Sequence, residues 1–354
     1  MRNLWAQTGN YRTNYQQDTT IFASYREVVS LAVLLLGLLA LPQFLSRSNV
    51  YVLDLILVYG IAVLGLNITT GYAGLINIGQ AAFMGVGAYT AALLAPNLPF
   101  LLAIPLGGLV AAGVGAVVGI PSLRVKHLYL ALATLAFQEI FVWTVGHAPL
   151  LKQGGAVEVP TGSFLGYAVG FRNHYHFWYY VILVFLVILA VAWRNLLRTR
   201  YGRALIAVRD NDRAADAMGM DPGRTKLMAF ALGAFYAGIA GGIYAYLARA
   251  VVIEDFMLAS SVKFLAMAIV GGLGTLVGSF LGPAFMQLLD LNMETLSNFI
   301  RSLGFNTSGV DIASALKPLT FGLVIVLFLM FEPRGLYNWW RLIRSYFRTW
   351  PFKY

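Results

Sequence analysis

The side chains of this 354-residue chain that could do chemistry are few and widely spaced. His174 and His176 form an H-x-H, and His147 precedes them in the same polar segment, a set that could ligate a metal. His174 and His176 sit in the aromatic run HYHFWYY, however, where interfacial histidines are the simpler reading, so no metal is expected. Ser260-Ser261 offers hydroxyls but has no histidine or carboxylate at motif spacing, which argues against a hydrolase. No G-x-x-x-x-G-K-[ST] loop is present, so this chain is not expected to hydrolyse ATP. With no cysteine, disulfides and thiolate chemistry are excluded, and no cofactor is expected. Asp54, Glu139 and Lys263 remain, ionisable groups inside apolar stretches and therefore the default functional suspects. Asp54 reads best as a helix-start cap, and Glu139 as either an interhelical hydrogen-bonding group or a pathway residue.

The elements that must position these groups are membrane spans. Only 11% of residues are charged, against about a quarter in soluble domains. Apolar blocks read as spans run over about 28–45, 50–66, 100–120, 128–145, a sixth reaching Trp193, then 222–246, the shorter 276–289, and 313–331. Two regions are interrupted by glycine. Gly71-Tyr72-Ala73-Gly74 breaks the stretch 68–94, and Gly271 to Thr275 separates a short block at 263–270 from the next. Broken helices at membrane depth expose backbone groups able to bind a zwitterionic solute. Gly71, Tyr72, Gly74, Asn77, Gln80 and Tyr89, together with Glu139 and Lys263, are the candidate substrate-pathway residues, with close packing as the competing explanation for the glycines. Small residues recur at four-residue spacing in 107–119 and, as two interleaved rows, in 233–242, so helices should approach closely there.

The stretch 194–226 is the polar exception. It carries eight cationic side chains, yet has the punctuation of short helices. Asn211 or Asp212 can cap one, Gly219 suits the left-handed position after it, and Asp221-Pro222 starts the next long helix. Such a loop is either a docking surface for a soluble partner or a topology signal touching anionic lipid. The net charge of +10 lies largely in loops and tails flanking spans, so it requires no nucleic acid. Placing the basic loops and tail inside gives an all-α polytopic transmembrane bundle of about ten spans, with N- and C-termini cytosolic. The expected domains are a cytosolic tail at 1–27, the membrane domain at 28–333 and a basic tail at 334–354.

Four stretches in order carry a resemblance: GYAGLINIGQAAFMGVGAYTAALL, LRVKHLYLALATLAFQEI, RYGRALIAVRDNDRAADAMGMDPGRTKLMAFALGAFYAGIAGGIYA and IVGGLGTLVGSFLGPA. Together they resemble the larger, M-type permease subunit of branched-chain amino-acid ABC importers, over about residues 50–332. The resemblance implies a heterodimer with a second permease, two cytosolic ATP-binding subunits that hydrolyse ATP, a periplasmic solute-binding protein, and a lipid-embedded location in the bacterial inner membrane. It also implies that Gly202, Arg203, Ala204, Arg209, Asp210, Asn211, Ala214, Ala215, Met218 and Gly219 form the element that couples to the ATPases. Gln80, His127 and Lys263 depart from the residues usual in that family, which bears on which solute is carried. A permease for urea or short amides, and an autonomous ion-coupled transporter, are the alternatives.

Overall fold

The computed structural model describes residues 25–123, 128–148, 155–160, 163–164, 167–168, 174–302, 312–332 and 334–349. Its architecture is helical. In chain order the long helices are α1 (Tyr25–Phe44), α2 (Arg47–Leu66), α3 (Gln80–Leu94), α4 (Phe100–Gly119), α5 (Leu128–His147) and α6 (His174–Arg198). Two short helices follow, α7 (Arg200–Asp210) and α8 (Asp212–Ala217). Then come α9 (Pro222–Ala248), α10 (Leu258–Gly271), α11 (Gly278–Ser302), α12 (Ile312–Phe331) and α13 (Leu336–Thr349). Among the described residues, five helical segments are long and apolar enough to cross a membrane: 47–72, 100–119, 129–147, 174–198 and 222–248.

Two small antiparallel strand pairs interrupt the all-helical expectation. Val157 pairs with Val251, tying the polar segment after α5 to the end of α9. Ser163–Phe164 and Tyr167–Ala168 form a hairpin within that same segment.

Helix α9 is the packing centre, with α2, α3 and α4 all lying against it. Small residues allow this. A side chain on Gly238 would collide with Ala111 and with the Gly107–Gly108 backbone of α4, and one on Gly87 of α3 would strike Gly238 itself. Gly233 meets Gly65 of α2 in the same way. Backbones this close exchange dispersion contacts over many atoms, which is what holds helices together where lipid offers no hydrophobic drive. The interleaved small residues therefore serve three neighbours at once.

Helix α2 does not stop at Leu66. Residues Asn67–Tyr72 wind one further turn with π-type spacing. The chain then runs irregularly over 73–79 before α3 starts at Gln80. With 15 residues, α3 extends about 22 Å, less than the hydrocarbon thickness, as does the 14-residue α10. Both are short apolar helices with a break at one end.

Candidate functional site: the helix break and the docked loop

A half-helix that begins inside a bundle leaves its first amides unpaired, and in lipid each such group is expensive. Here side chains from neighbouring helices satisfy them. Thr134 Oγ1 of α5 accepts from Ile78 N at 3.0 Å, and Asn77 Oδ1 accepts from Gly79 N at 2.9 Å. Ser261 Oγ of α10 accepts from Ala81 N at 2.9 Å, while Gln138 Oε1 of α5 accepts from Ala82 N at 3.0 Å and from the Ser261 hydroxyl at 2.8 Å. Gln80 Nε2 donates to Ala62 O at 2.7 Å, and Asn77 Nδ2 to Gln80 Oε1 at 3.0 Å. Asn77, Gln80, Thr134, Gln138 and Ser261 are all buried. The break is a polar lattice in which the amides of Ile78, Gly79, Ala81 and Ala82 are held by side-chain oxygens. Ser261, set apart by sequence as a hydroxyl without a catalytic partner, is one of the struts, and Gln138 is the node the sequence did not single out.

The other end of the break meets a second glycine turn. Asn67 Oδ1 accepts from Gly274 N at 3.0 Å, and its Nδ2 donates to Ser279 Oγ. The Tyr72 hydroxyl donates to Gly274 O at 2.6 Å, and its ring meets Trp193 of α6 edge-on, centroids 5.2 Å apart. The two glycine-rich interruptions, distant in sequence, are therefore one structural junction.

The polar loop is docked on this junction. Arg209 of α7 donates from Nη1 to Gly71 O at 3.0 Å and from Nε to Asp210 Oδ1 at 3.1 Å. Its aliphatic stem fills the space where Gly74 would carry a side chain, and Gly74 has φ +67°, a conformation that costs any other residue. Local capping shapes the loop as its sequence suggests. Asn211 accepts from Arg213 N and Ala214 N, at 3.0 and 3.2 Å, Gly219 is left-handed at φ +79°, and Asp221 accepts from Arg224 N at 3.0 Å ahead of Pro222. The largely buried Lys226 pairs with Asp212, fastening α8 to the first turn of α9.

Burial divides the loop into two faces. Gly202, Leu205, Val208 and Ala215 are buried against the bundle. Arg203, Arg209, Asp210, Asn211, Ala214, Met218 and Gly219 are exposed, with Ala204 between, and Met218 is 82% exposed. A cavity of about 350 Å³ separates the loop from the break, bounded by Gly74, Leu75, Leu130, Asp210, Arg213 and Lys226.

The remaining sequence candidates lie elsewhere. Tyr89 is buried near the opposite end of α3, where its hydroxyl donates to Gly155 O at 2.6 Å. Lys263 faces a separate cavity of about 140 Å³ with Tyr59, Tyr244, Asp255 and Ser260 on its walls, and pairs with Asp290 of α11 at 2.6 Å. Burial lifts the Asp255 carboxyl above the usual carboxylate range; the Tyr244 hydroxyl donating to it at 2.9 Å opposes this, and nearby Glu254 adds to it. Glu139 is exposed at the middle of the α5 span, on one stripe with Leu132, Ile140 and Trp143. Asp54 is not a helix-start cap: α2 begins at Arg47, and both Asp54 oxygens are buried without a hydrogen bond among the described residues. His174 is buried with Nε2 3.1 Å from Leu247 O, and the His147 ring stacks on Trp143, so each is accounted for by packing. His127 lies outside the described residues.

Apolar helices of spanning length, a helix break braced by its neighbours and an organised polar loop fastened to it define a polytopic integral membrane protein. Residues 48–331 match the family described as branched-chain amino acid transport system / permease component, and the chain belongs to that family. It is a transport permease subunit. It is similar to the high-affinity branched-chain amino acid transport system permease protein LivM of Escherichia coli (strain K12), 30% identical over 338 residues that cover 89% of this chain and 76% of that protein. It is also similar to two proteins of Methanocaldococcus jannaschii. With the probable branched-chain amino acid transport permease protein LivM identity is 27%, covering 78% of this chain and 90% of the relative. With the probable permease LivH it is 28%, covering 75% and 82%. No solved structure matches the chain.

Proposed function

We propose that this chain is the transmembrane permease subunit of an ATP-binding-cassette importer that takes up branched-chain or other neutral amino acids across the bacterial inner membrane. The observation that carries the reading is the Arg209–Gly71 hydrogen bond, which joins an exposed helical loop directly to a helix break. In this reading α7 and α8 are the coupling element, and Arg203, Ala214 and Met218 on their outward face meet a cleft in a separate ATP-binding subunit. ATP binding there shifts the loop, and Arg209 passes the shift to Gly71, Tyr72 and Gly74. ATP can drive the change only by binding its subunits unequally in the two states. The solute pathway borders the break and the Lys263 cavity, with Asn77, Gln80 and Tyr89 as its scaffold.

The proposed topology has ten passages and both ends cytosolic, with the domain limits 1–27, 28–333 and 334–354. It is supported by α2 and α10 both ending at the junction beside the loop, where α3 and α11 turn back. A carboxylate facing lipid at mid-span costs on the order of 2.5–3.5 kcal/mol. Glu139 on the α5 surface is therefore best explained by a second, related permease covering that face. Similarity to both LivM and LivH of one organism is in keeping with two related permeases. A periplasmic binding protein delivers the solute and largely selects it, so a urea or short-amide carrier is the second reading.

The test is uptake by vesicles holding this chain with its permease partner, the ATP-binding subunits and a binding protein, over a panel of neutral amino acids, basic amino acids and urea. ATP-dependent uptake of neutral amino acids that is lost in Arg203→Glu is the expected result. Transport by this chain alone, driven by an ion gradient and indifferent to ATP, would overturn it.

A further inference from the structure

Helix α13 has no role in the reading above. Its sequence, LYNWWRLIRSYFRT, is amphipathic to a degree that none of the other long helices among the described residues approaches. Trp339, Trp340, Leu342, Ile343 and Tyr346 are each more than half exposed. In the sequence, Arg341, Arg344 and Arg348 recur at three- and four-residue spacing, the repeat of a helix. Such a combination lies in a membrane interface, rings at headgroup level and cations toward phosphate.

Two further features fix where this helix can lie. It begins five residues after the last apolar helix, α12, ends at Phe331, so it leaves at the membrane boundary. Glu332 is tied to the start of α13: it accepts from Asn338 Nδ2 and from Trp339 Nε1, both at 2.9 Å. The residues before α13 are also packed on the junction. The Gly335 backbone lies against Gly272 and Ile269, and Tyr337 lies beside Gly272, at the start of the turn whose Gly274 holds Tyr72 and Asn67.

We propose that α13 is an interfacial helix that binds anionic phospholipid at the cytosolic surface and anchors the Gly272–Val277 turn, and with it the helix junction, to that surface. The occupant is a lipid surface because the chain already spans the membrane, the helix starts at its edge, and basic and aromatic residues alternate as headgroup and acyl boundary require. The inference rests on α12 being a span with residues 332–349 on the cytosolic side. Because the chain has no cysteine, Ser345→Cys gives a single labelling site. Labelling by an impermeant maleimide from the outer side would reject that topology independently of any lipid result.

The experiment reconstitutes the full chain in phosphatidylcholine vesicles containing either acyl-brominated phosphatidylglycerol or acyl-brominated phosphatidylcholine at equal fraction, and reads tryptophan quenching. Subtracting the W339F/W340F variant isolates these two rings from the seven tryptophans present. The expected result is roughly threefold greater quenching of Trp339 and Trp340 by the anionic lipid, falling to parity at high salt or in R341E/R344E/R348E. Trp143, on the exposed face of α5, should quench alike in every variant and reports correct insertion. Should the charge-reversed chain fail to insert, the salt dependence of the unaltered chain carries the same test. Equal quenching by the two lipids at low salt, or no quenching assignable to Trp339 and Trp340, would overturn the proposal.

Discussion

Arg209 donates to the carbonyl oxygen of Gly71 at 3.0 Å across 138 residues of sequence, so a helix outside the bundle holds the last turn of a helix inside it. Gly71 lies in the last turn of the segment ending at Tyr72, where carbonyls have no intrahelical donor, and that leaves its oxygen available. A polar loop that merely fixed topology would need no such bond.

Removing it should uncouple the protein. A hydrogen bond from a charged donor contributes about 1.5–3 kcal/mol, so Arg209→Ala should reduce ATP-driven uptake by about tenfold or more. Copurification with the ATP-binding subunits should persist, since Arg203, Ala214 and Met218, the residues proposed to meet the cleft, are unchanged. Arg209→Lys should recover little, because an ammonium cannot reach Gly71 O and Asp210 together in the planar fork geometry. Uptake at the unaltered rate in Arg209→Ala would remove the bond from the mechanism.

Gly74→Ala should cost about 1–2 kcal/mol through its left-handed backbone alone, and more through the Arg209 stem it would displace. Gly113→Ala on α4 is the matched control, because a methyl group there meets nothing within 4 Å. Thermal unfolding in detergent and uptake should both fall for the first and stay level for the second. Equal behaviour of the two would sink the argument from geometry.

The Lys263–Asp290 pair, with side chains 27% and 16% exposed, lets a double-mutant cycle separate structure from transport. Lys263→Met and Asp290→Leu should each destabilise by leaving a part-buried charge alone, while the double variant recovers much of the loss, a coupling of about 0.5–3 kcal/mol. If Lys263 borders the solute pathway, uptake stays low in the double variant although stability returns. Recovery of both would make the pair purely structural.

Glu139→Leu should weaken copurification with the second permease without lowering the melting temperature of this chain alone. A carboxylate at mid-span is costly against lipid and tolerable only against a polar partner. Undiminished assembly of the complex would move the subunit interface to another face.

Much was legible in the sequence because its signals are local. Spans announce themselves by apolar length, as at Phe100–Gly119 and Pro222–Ala248, since lipid admits little else. The caps Asn211 and Asp221 and the left-handed Gly219 follow from short-range backbone chemistry. The four ordered motifs likewise carried the family. What tertiary structure alone decided is who satisfies whom. Gln138, Ser261 and Thr134 became struts of the break because two other helices bring them to its unpaired amides. Gly71 met Gly274, Arg209 reached Gly71, and Asp54 fell inside α2 rather than at its start. Hydrogen bonds between residues far apart in sequence leave no periodicity to read. They are fixed only when helix packing sets the distances, as α5 and α10 do by lying against α3.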